Sequence, residues 1–194
     1  MSPILESIGS VKGFGWGAFS LPSSFESIAS ATGTGSSGTI TFNSIPSTYV
    51  ALQIRYNARD TAVASPDLAL IRCNGITSAS YASHALIGNG LNATATGLAS
   101  TTSINRVLQV PADNVTANIM GTAIIDILDY NSTTKTKTIR AVAGVDLNSA
   151  TTDAQIRLGS GLFDSTSAIT SISIIAPSAN WTTTSTFALY GIKG

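Results

Sequence analysis

The chain has 194 residues, of which 43% are hydrophobic and only 10% are charged, and its ten basic and ten acidic residues cancel. This balance argues against the basic stripe that nucleic-acid binding needs and against a polybasic membrane anchor. The length suffices for one domain with a sizeable core. Serine and threonine, 52 together, stand in for the usual surface charges. Such a surface suits a protein that works outside a cell or inside a large assembly.

Residues 1–22 differ from the rest of the chain and predict an extended N-terminal arm. Glycine recurs at alternate positions there, which costs too much backbone entropy for a stable helix or central strand. The same stretch holds Phe14, Trp16 and Phe19, and aromatic side chains are costly to leave in water. We expect these three residues to form an interface with another surface. That surface is either the body of the same protein or, as we favour, a neighbouring subunit.

The remaining signals for compartment are few. The chain has no apolar run near the roughly 18 residues that span a bilayer, and its first residues lack the basic and apolar regions of a secretory signal. The single cysteine, Cys73, lies in an apolar strand pattern, which predicts a buried and inert thiol. We therefore expect that the protein is made in a cytoplasm and that it has neither an intrachain disulfide nor a membrane partner.

Residues 23–194 predict a single β domain. Short segments rich in Ile, Val, Leu, Thr and aromatic residues alternate with turn residues, and residues 49–59 have a clear period of two. One stretch, residues 79–86, is a candidate turn of helix. In chain order the predicted strands are 24–31, 38–45, 49–59, 68–73, 104–110, 117–130, 137–146, 154–163, 169–177 and 185–193.

Strands at this spacing favour an all-β fold, because parallel sheets need long crossover connections. We expect an antiparallel β-sandwich, jelly-roll-like, with the N-terminal arm extended from it. The last segment, FALYGIKG, is predicted to be a strand inside a sheet, with Phe187 and Leu189 facing the core and Tyr190 facing away. A bulge at Gly191 is expected to reset the alternation before Ile192.

Groups that could carry out catalysis are scarce. His84 is the only histidine, no acid or nucleophile motif accompanies it, and one histidine with one cysteine cannot supply the ligands of a zinc site. We therefore predict no enzymatic activity, no catalytic residue, no metal and no cofactor. Calcium between loops stays open as an alternative, because four aspartates flank predicted turns: Asp113, Asp146, Asp153 and Asp164.

Arginines in strand patterns are the remaining charged groups of interest. An arginine in an apolar strand usually pairs with a carboxylate or with carbonyl groups. We expect such structural pairing for Arg55, Arg59 and Arg140, with Asp126 or Asp129 as a candidate partner. Contact with a partner protein is the alternative.

Three stretches resemble a known group of proteins. They are ITFNSIPSTYVALQIRYNAR (40–59), AIIDILDYNSTTKTKTIRAVAG (123–144) and LFDSTSAITSISIIAPSANWTTTSTFALYGIKG (162–194). Together they are similar to the small Ser/Thr-rich β proteins found among the virion structural genes of tailed bacteriophages, notably those that infect cyanobacteria and other aquatic bacteria. The resemblance runs from about residue 25 to residue 194.

The resemblance implies a non-enzymatic virion component and carries no catalytic or binding residues with it. We expect a capsid decoration (cement) protein on the virion surface that binds the major capsid protein and copies of itself, as a homotrimer, and that is made in the host cytoplasm. The alternative is a tail-fibre or receptor-binding tip module that recognises host surface glycans. Trp181 and Tyr81 are the candidate aromatic contacts of such a glycan site, and an enzyme such as a depolymerase ranks third.

Overall fold

The computed structural model describes residues 24–63, 67–148 and 153–194. The predicted N-terminal arm, residues 1–22, lies outside this range. Every strand pairing is antiparallel and none of the described residues is helical, so the expected all-β, antiparallel fold is confirmed. The strands are β1 (Phe25–Thr32), β2 (Thr39–Phe42), β3 (Ala51–Ala58), β4 (Leu70–Cys73), β5 (Tyr81–Gly88), β6 (Ala93–Thr101), β7 (Gly121–Leu128), β8 (Lys137–Val145), β9 (Gln155–Phe163), β10 (Ile172–Ile175) and β11 (Thr186–Ile192).

The strands divide unevenly between two sheets. The large sheet has eight strands in the order β1-β11-β3-β7-β8-β9-β5-β6, and the small sheet has three in the order β2-β10-β4. An ideal jelly roll, by comparison, shares eight strands between its two sheets. Buried side chains from both sheets form one hydrophobic cluster between them, including Phe42, Ile71 and Ile174 of the small sheet and Ile54, Ile125 and Phe187 of the large one. The result is a β-sandwich in which a small layer covers part of a wide sheet.

The alternation of side chains gives the large sheet an inner and an outer face. In β8, every second residue from Lys137 to Val145 is buried, and the residues between them are exposed or half-buried. The same period of two holds in β7 and β11. This is the pattern of a strand with one face on a core and one toward solvent.

Residues 104–110, predicted as a strand, instead form a covering segment over the inner face of β9. They make only isolated bridges to other strands. A Cβ atom at Gly159 would lie 2.4 Å from Val107 Cβ, and one at Gly161 would lie 2.6 Å from Ile104 Cγ2. Glycine at these two positions lets the segment approach the sheet where the small sheet does not cover it.

The helical expectation for residues 79–86 is wrong. These residues lie mostly in β5, which pairs with β9 on one side and with β6 on the other. Alternate residues Tyr81, Ser83 and Ala85 are buried, so the period is two. Because both edges of β5 are hydrogen-bonded, tertiary pairing outweighs the high helix propensity of its alanines. Strand β6, rich in Ala and Thr, has no counterpart among the predicted strands.

The strand predicted for FALYGIKG is confirmed as β11, which lies between β1 and β3 in the large sheet. Phe187 and Leu189 are buried in the core, and Tyr190 lies half-buried on the other face. Trp181 packs edge-on against Phe187, with ring centroids 5.0 Å apart.

The expected bulge at Gly191 is absent, because the register of β11 with β3 continues unbroken through Ile192. Gly191 serves a different purpose. A Cβ atom there would lie 2.4 Å from Cγ of the Tyr49 ring, so the glycine makes room for an aromatic ring that covers this end of the strand. The bulge of this region lies in β1, between Ser27 and Ala29.

Lys137, at the start of β8, carries a fully buried ammonium group. Its Nζ donates hydrogen bonds to the carbonyl oxygens of Ser132 at 2.8 Å, Lys135 at 2.9 Å, Ser165 at 3.2 Å and Ser167 at 2.7 Å. Burial lowers the pKa of this group below its usual value. The four carbonyls come from two loops, so one cation ties the β7–β8 connection to the segment that follows β9.

Replacing Lys137 by methionine is expected to lower the free energy of unfolding by about 2–3 kcal/mol. The change keeps an unbranched side chain but removes the donor, which leaves buried carbonyl groups without a partner. Urea unfolding followed by circular dichroism measures the loss. The matched control is Lys135→Met, because Lys135 is exposed and forms only a surface ion pair with Asp129, worth less than about 1 kcal/mol. Equal losses of unfolding free energy in the two variants would contradict the stabilising role of the Lys137 hydrogen bonds.

Candidate interaction surface

Outward-facing side chains of four neighbouring strands form an apolar row across the outer face of the large sheet. The register aligns Ile124 with Val142, Val142 with Leu158, and Leu158 with Leu86. Between 45% and 53% of each side chain is exposed. With strands about 4.8 Å apart, this aliphatic row (Ile124, Val142, Leu158 and Leu86) is about 14 Å long.

Further apolar side chains widen this surface. Ile156 of β9 is 60% exposed and stands between Gly144 and Gly88 on the adjacent strands, while Leu128 at the end of β7 is 58% exposed. Single exposed apolar residues are ordinary on a protein surface, whereas a contiguous group on a flat face is typical of a contact site. The outer face of the large sheet is therefore the candidate interaction surface.

A polar row runs beside the aliphatic row, displaced from it by two residues along each strand. The register places Gln53, Asp126, Arg140, Ser160 and His84 on successive strands. Arg140 Nη2 lies 3.0 Å from Asp126 Oδ2, and Gln53 Nε2 donates to Asp126 Oδ1 at 2.8 Å. The predicted pairing of Arg140 with Asp126 is confirmed. Because the carboxylate and the guanidinium are paired, the row adds polarity to the face without net charge.

The two rows border an open depression of about 740 Å³ above β5, β8 and β9. His84, Arg140 and Ser160 lie on one side of it and Leu86 and Leu158 on the other. The His84 ring lies over β6 at Gly97, where a Cβ atom would be 2.8 Å from the ring Cδ2. The depression has the shape of a contact surface, wide and shallow, and not of an enclosed pocket that excludes water from a reaction.

The aliphatic row ends on β3 at an arginine held between two aromatic rings. Arg55 pairs in register with Ile124. Its guanidinium carbon lies 5.6 Å from the ring centroid of Phe25 and 5.4 Å from that of Tyr190, and its Nε donates to Gln53 Oε1 at 2.7 Å. These are cation–π distances. Phe25, at the start of β1, thus belongs to the same outer face.

Arg59, just after β3, belongs to the interior. Its guanidinium donates to the carbonyl oxygens of Thr116 and Val115, both at 2.9 Å, and of Ile119 at 3.3 Å, and lies 3.5 Å from Asp113. The expected structural pairing with carbonyl groups is confirmed. Arg59 fixes the loop before β7 to the end of β3.

The two aromatic residues considered for glycan binding are both buried, so that assignment is wrong. Trp181 is fully buried and its Nε1 donates to the Ile174 carbonyl at 3.4 Å. Tyr81 is 2% exposed and stacks on Phe163 with ring centroids 5.1 Å apart. Neither ring is accessible to a sugar. Tyr81 is turned inward by the alternation of β5, and Trp181 packs into the core from the loop between β10 and β11.

The remaining predicted positions have different outcomes. Phe14, Trp16 and Phe19 lie outside the described residues. Cys73 is buried as predicted, and burial raises the pKa of its thiol to about 12. Across residues 24–63, 67–148 and 153–194, no three His, Cys, Asp or Glu side chains come together as a metal site would require. The turn aspartates Asp113, Asp146, Asp153 and Asp164 are therefore not gathered into a calcium site.

A buried pair of carboxyl groups, Asp60 and Asp67, was not predicted. Asp60 is fully buried, and the Oδ2 atoms of both residues are buried without a hydrogen bond from any other described group. The two carboxyl groups contact each other. Burial and the hydrogen bond with Asp67 raise the pKa of Asp60 to about 7, while nearby Arg59 acts in the opposite direction. Protonation of Asp60 would supply a donor toward Asp67 and so satisfy both oxygen atoms.

The residue type alone does not predict that Asp60 or Lys137 is buried. For Lys137 a signal does exist, because it shares the inward phase of Ile139 and Ala141. For the two aspartates no spacing indicates contact, since the fold alone brings them together.

Comparison with known proteins adds no family: neither a protein-family model nor a curated protein matches this chain. Within the part of the chain that the structure describes, there is no helix long and apolar enough to cross a membrane.

Proposed function

We propose that this protein is a non-enzymatic structural component of a tailed-phage virion that decorates and stabilises the major capsid shell as a homotrimer. The observation that carries the proposal is the outer face of the large sheet. It presents the aliphatic row beside a charge-neutral polar row, a composition suited to a protein–protein contact.

The positions of the three phage-like stretches support the same proposal. In the large sheet, residues 40–59 contribute β3, residues 123–144 contribute most of β7 and β8, and residues 162–194 contribute β11. These strands are consecutive, in the order β11-β3-β7-β8, and the same stretches supply most of β2 and all of β10 in the small sheet. In the large sheet, the stretches that resemble virion proteins therefore form one continuous block, which includes half of the aliphatic row.

The absence of a strong charge on this face bears on the kind of partner. Association with a charged polymer would require a field of one sign, whereas the chain has no net charge and the exposed arginine Arg140 is paired with Asp126. An apolar contact with protein subunits requires no such field. A capsid surface offers many equivalent copies of such an apolar contact.

The copy number of the protein in purified virions tests the proposal. We expect a number comparable to that of the major capsid protein, measured by quantitative mass spectrometry of intact particles. A few copies per particle would favour the tail-tip alternative and contradict decoration.

Removal of residues 1–20 is expected to abolish binding to purified capsids while the domain stays folded. The removed part contains the aromatic residues Phe14, Trp16 and Phe19, and it contains none of the strands that the structure describes. Co-sedimentation with capsids measures binding, and circular dichroism checks the fold. Unimpaired binding of the truncated protein would exclude the segment from the attachment.

A further inference from the structure

The proposed function assigns capsid contacts to two apolar features of this protein: the aliphatic row on the outer face, and the aromatic segment formed by residues 14–19. We propose that in the isolated protein, away from the capsid, the aromatic segment docks on the aliphatic row. This inference concerns the isolated protein and does not depend on its place in a virion.

The dimensions of the two features agree. The row spans four strands, or about 14 Å. Phe19 lies five positions after Phe14, and an extended chain of this length covers about 17 Å. The segment is therefore long enough to lie along the row.

The alternation of the segment suits an apolar sheet face. In an extended chain, Phe14 and Trp16 project to one side, while Gly15, Gly17 and Phe19 occupy the other. The segment from Phe14 to Phe19 contains no charged residue. Contact with the row thus buries aromatic surface against aliphatic surface and leaves no charge without a partner.

The start of the described chain lies on the same face. Phe25, the first residue of edge strand β1, already packs on Arg55, which adjoins the row at Ile124. Strand β8 lies four strand spacings from β1, about 19 Å. The eight residues from Trp16 to Ser24 reach about 27 Å when extended, so the segment can reach the row of its own body as well as that of a second copy.

The fluorescence of Trp16 tests the proposal directly. The chain has two tryptophans, and Trp181 is fully buried, so the difference between the intact chain and a Trp16→Phe variant isolates the emission of Trp16. We expect this emission to be blue-shifted and weakly quenched by acrylamide. The double variant Val142→Thr, Leu158→Thr should red-shift it and raise its quenching several-fold. Threonine favours strands at exposed positions, so the sheet is retained.

The matched control is Leu91→Thr, because Leu91 is 65% exposed but lies in the turn between β5 and β6. It should leave Trp16 emission unchanged. Near-ultraviolet circular dichroism and thermal unfolding confirm that each variant is folded. Solvent-like Trp16 emission in the intact chain, or emission that the double variant leaves unchanged, overturns the proposal.

Sedimentation identifies which copy supplies the segment. Protection of Trp16 in a monomer means that the segment folds back on its own sheet, and protection that appears only in an oligomer means that a second copy supplies it. Both results support docking on the row. If Trp16 is exposed in the isolated protein while removal of residues 1–20 still abolishes capsid binding, the docking proposal fails and the proposed virion function stands.

Discussion

Deletion of residues 187–194 is expected to prevent folding of the protein. Strand β11 pairs with β1 and β3 at once, so its loss removes two ladders and leaves β1 without a neighbour in the large sheet. It also removes Phe187 and Leu189 from the core, and truncation of such side chains to alanine alone costs about 2–5 kcal/mol each. The sum exceeds much of the 5–15 kcal/mol that stabilises an ordinary domain.

Expression of the truncated chain, followed by size-exclusion chromatography and circular dichroism, measures the outcome. We expect insoluble or unfolded protein. The chain without residues 1–20 is the matched control, which should be soluble with an intact β spectrum. A soluble and cooperatively folded protein ending at Thr186 would contradict the role assigned to β11.

Stability is expected to fall as the pH rises from about 4 to about 7, because of the Asp60–Asp67 pair. The pKa of Asp60 is raised from 3.8 to about 7 in the folded protein. In this window the unfolded chain has lost the proton while the folded protein still holds it. The stabilisation is therefore complete below pH 4 and is lost as the pH passes 7, by up to about 4 kcal/mol at 1.4 kcal/mol per pH unit.

The variant Asp60→Asn isolates this contribution. An amide retains an acceptor for the Ala62 N–H group, which Asp60 Oδ1 now accepts at 3.0 Å, and it supplies a donor toward Asp67 at every pH. We expect the variant to be more stable than the unmodified protein at pH 8, with a flatter profile between pH 4 and 8 in urea unfolding. The exposed Asp164→Asn is the control and should leave the profile unchanged. Parallel profiles for Asp60→Asn and the unmodified protein would contradict a shared proton.

The large sheet was largely predictable, because strands such as β8 and β11 bury every second residue and so have a period of two. Strand β6 escaped prediction because it is an edge strand of small residues whose burial differs little between its faces. Strand β5 was mistaken for a helical turn because its pairing with β9 is non-local. Local propensity does not report such contacts.

The site was less predictable than the fold for a related reason. The aliphatic row exists only because the registers of four strands bring one residue from each to the same level, and register depends on tertiary pairing. The burial of Trp181 follows likewise from the position of Ile174 and Phe187, because the two strands that flank its loop belong to different sheets that pack on each other. The pairing of Arg140 with Asp126 was foreseeable, since the two residues flank one hairpin.

The strand order also constrains when the protein can fold during synthesis. Strand β10 joins β2 to β4, and β11 joins β1 to β3, so each sheet is completed by a strand from residues 172–192. A nascent chain that has not yet exposed these residues to solvent outside the ribosome has β1, β2 and β4 without their partners. We expect folding to wait for residues 172–192 and to be slow, on the order of milliseconds to seconds, as for other folds dominated by distant strand pairing. Until then the free edge of β3 is open to pairing with other chains, which is the step a chaperone would need to guard.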